Sequence, residues 1–146
     1  MSEANARIPI KLHVQTTITQ GSEHEDFTFD VPGTILTNAE THFIRYDELT
    51  SDGASIPVML KINPDQTARL TRNGQSNLQL VFDLTEPQTS KYLTPMGTLN
   101  LTVLTDALDI DFANGLTRGD ITVKYQLLQD QQKVGDYVFN LSFTTL

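Results

Sequence analysis

An arginine in the segment ARLTRNG is the residue of this 146-residue chain best placed to do chemistry. Read as a β-strand, the segment puts Ala68, Leu70 and Arg72 on one face. The apolar face of a strand normally faces a core, so the guanidinium of Arg72 needs a polar partner there. That partner is either a carboxylate of the protein or a ligand that accepts two parallel hydrogen bonds.

A glutamate could supply the partner from within the chain. The segment HFIRYDEL carries apolar residues on both faces, so its alternation leaves open which face is inside. If the face of Tyr46 and Glu48 is inside, Glu48 could meet Arg72 near one end of the fold, beside Tyr92 and Thr94. Two interpretations stay open: a polar plug in which protein groups satisfy Arg72, or a site for a small polar or anionic ligand. Glu48 argues against an anion, because it already neutralises the guanidinium.

The turn after Arg72 decides how deep the arginine lies. A two-residue turn would set Leu70 against Asn77, apolar against polar. A three-residue loop over 73–75, closed by a glycine bulge, sets Leu70 against Leu78 and is favoured. Arg72 then takes the last inward position, one step from the rim.

A second irregularity, in KYLTPMGTLNLTV, decides where Tyr92 and Thr94 point. Both lie at even positions, whereas the apolar residues that follow lie at odd positions. A bulge at Pro95–Gly97 would reconcile the two phases. Both side chains are then expected to face inward.

The element that recurs around these residues is a short strand with one apolar face. Alternation of period two runs almost from end to end, separated by turn-rich clusters such as TSDG, NPDQ, RNGQ and FANG, and no segment shows a helical stripe. The chain is therefore predicted to be all-β, a single domain over 1–146. A closed antiparallel up-and-down β-barrel of about 8–10 strands is favoured because closure removes the sheet edges. A two-sheet sandwich is the main alternative.

Composition narrows the class of partner. The chain is 38% hydrophobic and 19% charged, with a net charge of −8, a pI near 4.6 and no cysteine. The absence of cysteine excludes disulfides, thiolate metal sites and thiol catalysis. An acidic surface makes nucleic acid and membrane poor candidates for partners. The N-terminal residues lack the apolar run of a signal peptide, so a cytoplasmic protein is expected.

Metal, cofactor and enzyme signatures are weak. His13, His24 and His42 form no ligand pair, and the calcium-like segment DIDFANG has Ala113 at its fifth position. There is no nucleophile elbow, phosphate-cradling loop or dinucleotide fingerprint. We therefore expect no catalytic residue, no metal and no cofactor. The inward phenylalanines are expected to be core rather than the lining of a lipid cavity; they are Phe27, Phe29, Phe82, Phe112, Phe139 and Phe143.

A set of short motifs resembles the YwiB-like family of bacterial proteins. In order, they are Tyr46-x-Glu48, Arg72-x-Gly74, Phe82, Tyr92-x-Thr94-x-x-Gly97 and Tyr125. The resemblance extends from IPIKLHV to VFNLSF and implies a barrel similar to the calycins, which include lipocalins and fatty-acid-binding proteins. It implies no established biochemical function. The chain has no tryptophan, so it lacks the Gly-x-Trp signature of lipocalins.

Two hypotheses of function follow. In the first, a small polar or amphipathic ligand enters one barrel mouth, and its candidate binding residues are Tyr46, Glu48, Arg72, Tyr92, Thr94 and Tyr125. In the second, the barrel is plugged and serves as a structural or protein-interaction module, with a protein partner or as a homodimer. A cavity of several hundred cubic ångströms would favour binding. An interior filled by Phe and Leu, with Arg72 saturated by Glu48, would favour the plug.

Overall fold

A computed structural model describes residues 7–49, 53–74 and 77–146, which form ten β-strands. The strands are β1 (Ile8–Gln20), β2 (Glu23–Asn38), β3 (Thr41–Leu49), β4 (Ser55–Ile62), β5 (Ala68–Asn73), β6 (Asn77–Phe82), β7 (Gln88–Thr94), β8 (Gly97–Phe112), β9 (Arg118–Gln129) and β10 (Gln132–Thr145). One turn of 3-10 helix, Asn114–Leu116, joins β8 to β9. Within these described ranges, no helix is both long and apolar enough to cross a membrane.

The ten strands close into a barrel. Each strand pairs antiparallel with the next along the chain, and β1 also pairs with β10. The closing ladder runs from Ile10 opposite Thr145 to Thr19 opposite Asp136. The predicted closed up-and-down barrel is therefore confirmed, and the alternative of a two-sheet sandwich is wrong.

Strand β2 changes partner at a glycine. It pairs with β1 over residues 23–35 and with β3 over residues 33–38, so Gly33 belongs to both ladders, opposite Ile10 and Tyr46. A Cβ at Gly33 would collide with the carbonyl oxygen of Arg45 and with the side chain of Leu12. The missing side chain therefore lets the strand bend between its two neighbours.

Strand β8 changes the phase of its apolar residues at a bulge. Its ladder with β9 shifts register between Thr105 and Ala107. Before the bulge, odd positions such as Val103 face inward; after it, the even positions Leu108 and Ile110 pack against the core. The extra residue on one strand reverses the alternation.

The two ends of the barrel differ. The hairpins β1–β2, β3–β4, β5–β6, β7–β8 and β9–β10 lie at one end, which we call the mouth; the other is the closed end. The closed half is filled by apolar side chains that are at most 2% exposed, including Ile10, Leu12, Ile35, Ile44, Leu60, Phe82, Val103, Ile121, Val123 and Leu141. The open half lies between the mouth hairpins.

The β5–β6 hairpin corrects the predicted register. Leu70 lies opposite Leu80 and Arg72 opposite Leu78, two residues along from the predicted pairing. Gln75 of the predicted loop lies outside the described residues. A slip of two residues keeps every inward side chain facing inward, so alternation alone could not separate the two registers.

Two further predictions in this region are wrong in detail. Pro95 and Met96 form the turn of the β7–β8 hairpin, with Thr94 opposite Gly97, and not a bulge inside one strand. The alternation of Leu78, Leu80, Phe82 and Leu84 in the sequence also predicts an inward Leu84. This is wrong, because β6 ends at Phe82 and leaves Leu84 47% exposed. In both places the strand ends at a turn that alternation alone does not identify.

Candidate functional site

A cavity of about 430 Å³ occupies the open half of the barrel. Five of the six predicted binding residues line it: Tyr46, Glu48, Arg72, Tyr92 and Tyr125. The sequence did not show that an open space lies between them. Its volume falls within the range of roughly 300–1,000 Å³ that is typical of small-molecule sites.

Arg72 and Glu48 form an ion pair on the cavity wall. Cross-strand pairing sets Arg72 beside Val58 on β4, and Val58 beside Tyr46 on β3. Glu48 follows two residues later on the same face of β3, toward the mouth. The Arg72 Nη2 atom lies 2.6 Å from Glu48 Oε2, and Nε donates to the same oxygen at 2.8 Å. The even face of β3 is thus the inner one, and the predicted meeting of the two residues occurs.

The pair is half-buried. The side chains of Arg72 and Glu48 are 32% and 29% exposed. Both donors of Arg72 converge on one carboxylate oxygen, so the arrangement is not the parallel fork in which each oxygen takes its own N–H. Part of each ionic group therefore remains available to a molecule in the cavity.

Tyrosine side chains surround the pair. Tyr46 and Tyr125 are only 7% and 6% exposed, and burial raises the pKa of both phenols well above the usual value. For Tyr46 the charge of Glu48 raises the pKa further, while Arg72 opposes it. Both phenols therefore stay neutral at physiological pH and keep an O–H to donate.

Tyr137 is a cavity residue that the sequence analysis missed. It lies directly opposite Tyr125 across the β9–β10 ladder, and the two rings stack with centroids 5.1 Å apart and planes within 8°. Burial also raises the pKa of Tyr137. The available signal was that both tyrosines occupy inward positions on the two strands of the last hairpin.

Tyr92 and Thr94, which were both predicted to face inward, have different surroundings at the end of β7. Tyr92 lies opposite Leu99 and lines the cavity. Thr94 belongs to the β7–β8 turn: its Oγ1 donates to the carbonyl of Gly97 at 2.7 Å and accepts from the amide of Met96 at 3.2 Å. Thr94 therefore holds the hairpin and is not among the side chains that line the cavity.

The rest of the cavity wall is mainly apolar. Six strands, β1, β4, β5, β6, β8 and β9, contribute its aliphatic side chains: Val14, Ile18, Val58, Leu70, Leu78, Leu80, Leu101 and Leu127. Phe27, Phe29 and Phe139 also line it, which corrects their assignment to a plain core. Phe27 stands at the mouth, 48% exposed. Phe82 and Phe143 are buried in the closed half, as predicted.

The histidines lie outside the cavity. His13 pairs with Asp30 at 2.7 Å on the outer face, and His42 contacts the edge of Phe112 at the closed end. Across residues 7–49, 53–74 and 77–146, no group of three or more His, Cys, Asp or Glu side chains is placed to hold a metal ion. The chemistry that the site offers is hydrogen bonding and apolar contact.

The comparisons with known proteins give a family and one solved structure of similar fold. A family model described as "Domain of unknown function (DUF1934)" matches residues 12–141. Among solved structures, the chain is similar to "Crystal structure of ywiB protein from Bacillus subtilis", with a TM-score of 0.83 and 19% identity over 98% of this chain and 96% of that one. At this identity the likeness concerns the fold alone. The search of curated proteins gave no match.

Proposed function

The chain belongs to the DUF1934 family, and from this premise we propose that it is a binding module that takes one small polar or amphipathic molecule into the mouth cavity. The family match and the structural likeness bear out the predicted YwiB-like resemblance. Neither the family description nor the similar structure names an activity. The observation that carries the proposal is therefore the cavity of about 430 Å³ itself.

The distribution of polar groups in the cavity favours an amphipathic molecule. Aliphatic and aromatic side chains cover most of the wall, while Glu48, Arg72 and the tyrosine hydroxyls supply a few polar atoms. Apolar walls that converge on a few polar groups are typical of sites that bury a ligand and fix its orientation. An apolar body would replace water along Leu70, Leu80 and Leu101, while a polar end contacts the ion pair.

The alternative function, in which the barrel is plugged, depends on the same ion pair. Glu48 does hold Arg72, as a plug requires, but the pair lines the cavity without filling it. Two strongly exposed apolar side chains at the mouth, Leu49 at 73% and Met96 at 96%, favour a protein contact as the second candidate function. A protein partner at the mouth and a ligand inside it predict different results in the following test.

The first measurement is the native mass of the purified protein, compared with its denatured mass. Binding predicts a reproducible excess mass that is lost in an Arg72→Met variant. A bare monomer mass, combined with no uptake of the neutral apolar dye Nile red, would contradict the proposal and favour the protein-contact alternative.

A matched pair of variants controls the dye measurement. Thr16 lines the cavity, so Thr16→Trp should fill part of it and abolish dye uptake. Thr98 is exposed on the outer face of β8, so Thr98→Trp should leave uptake unchanged. Equal uptake by the two variants would place the dye elsewhere on the molecule.

A further inference from the structure

We infer that the ligand of this cavity has a neutral head that both donates and accepts hydrogen bonds, an alcohol or a primary amide, on an apolar body. The inference rests on the proposed binding function and adds the chemical class of the ligand. It follows from the hydrogen-bonding atoms of Arg72 and Glu48 that do not contact each other, and from the charged side chains around the mouth.

The geometry of the pair leaves donors and an acceptor together. A guanidinium has five N–H groups, and Arg72 gives one from Nε and one from Nη2 to Glu48 Oε2. Arg72 Nη1 and Glu48 Oε1 take no part in either of these contacts. A hydroxyl or a carboxamide can accept from the guanidinium and donate to the second carboxylate oxygen at once.

The net charge of the pair disfavours an ionic head. A carboxylate ligand would have to share Arg72 with Glu48 and would lie beside a like charge. An ammonium ligand would face Arg72 in the same way. Either ion would gain its own partner only by leaving the other half-buried charge uncompensated, which is strongly unfavourable. A neutral head contacts the pair without breaking it.

Carboxylate side chains next to the mouth are a second reason why an anionic ligand is disfavoured. Glu23, Glu25 and Asp26 are exposed at the start of β2, next to the mouth. Asp26 and Asp47 also line a crevice of about 420 Å³ between β2 and β3, which shares Glu48 with the cavity wall. Clustered carboxylates lower the local concentration of anions, and the whole chain carries a net charge of −8.

The experiment compares four probes with the same alkyl chain: decanol, decanamide, decanoate and decylammonium. Their affinities are measured by displacement of Nile red, each probe below its micelle concentration. For the wild-type protein we expect decanol and decanamide to bind at least about tenfold more tightly than either ion. This ranking needs no variant, so it holds even if the variants fold poorly.

Two charge variants should then reverse the ranking. Glu48→Gln leaves Arg72 unpaired and should favour decanoate over decanol by about tenfold. Arg72→Gln leaves Glu48 unpaired and should favour decylammonium instead. Glu86→Gln, in the loop between β6 and β7, and Arg69→Gln, on the outer face of β5, make the same charge changes outside the cavity and should keep the wild-type ranking.

The outcomes separate the two proposals. Tighter binding of decanoate or decylammonium by the wild-type protein would overturn the neutral-head inference and leave the binding function standing. An unchanged ranking in folded Glu48→Gln protein would also overturn it. Failure of all four probes and of Nile red to bind would instead overturn the binding function.

Discussion

The buried phenols of Tyr46 and Tyr125 tie the stability of the protein to alkaline pH. Burial raises the pKa of both above the usual value of 10.0, so the folded state keeps two protons that the unfolded chain releases. Stability is therefore full below pH 10 and falls as pH rises further. The slope should be about 1.4 kcal/mol per pH unit for each tyrosine. Urea unfolding between pH 9 and about 11 would measure it, and Tyr125→Phe should lower the slope by up to about 1.4 kcal/mol per pH unit, the share of one tyrosine; an unchanged slope would contradict the assignment.

The Arg72–Glu48 pair should contribute measurably to folding. Its side chains are about one-third exposed, so it lies between a screened surface pair and a buried one. A double-mutant cycle of Glu48→Gln and Arg72→Gln is expected to give a coupling energy of about 1–2 kcal/mol. Molar salt should reduce this energy by screening. A coupling energy near zero would mean that the two side chains do not hold each other in solution.

At the scale of the strand, Gly33 is the point at which β2 pairs with both β1 and β3. Any side chain there would meet the carbonyl oxygen of Arg45 and the side chain of Leu12. We expect Gly33→Ala to destabilise the protein by about 1–3 kcal/mol, as overpacking does, whereas Thr34→Ala, on the next residue, should change stability by less than about 0.5 kcal/mol. Chemical denaturation of both variants gives the comparison. Equal losses would show that the crowding at Gly33 is relieved by backbone movement.

The sequence predicted strands better than it predicted the connections between them. Alternation identified the inward residues of β1, β4, β6 and β9, because one face of each strand must be dry. It could not fix the β5–β6 register, since a slip of two residues leaves the alternation intact. It also could not tell a bulge from a turn at Pro95–Gly97, because both change the phase of the pattern. The bulge near Thr105 was visible only as a change from odd to even positions.

Across the whole barrel, side-chain identity predicted the polar cluster but not the space beside it. Tyr46, Glu48 and Arg72 could be brought together only on the condition that the even face of β3 is the inner one, which alternation left open. The cavity depends on how far opposite walls stand apart, which is set by the number of strands and by their bends at Gly33 and in β8. An inward phenylalanine produces the same alternation pattern in the sequence whether it packs against another side chain or lines an open cavity. For that reason Phe29 and Phe139 were expected to be core.

The division into a filled and an open half predicts two different responses to the same truncation. Leu60 is fully buried in the closed half, so Leu60→Ala should cost about 2–5 kcal/mol by loss of contacts and creation of a cavity. Leu78 lines the existing cavity and is half-buried, so Leu78→Ala removes fewer contacts and should cost about 1 kcal/mol.

Urea unfolding of the two variants measures both costs, and adding decanol sharpens the comparison. Decanol at about a hundred times its dissociation constant should stabilise the wild-type protein by about 2.7 kcal/mol. The same addition should stabilise Leu60→Ala as much, because its mouth cavity is intact, and Leu78→Ala less, because a wall contact is gone. Equal costs for the two truncations, with no effect of decanol, would mean that the walls of the open half close on each other in solution. The barrel would then be plugged along its whole length, and its contacts with other molecules would have to be made from the outside.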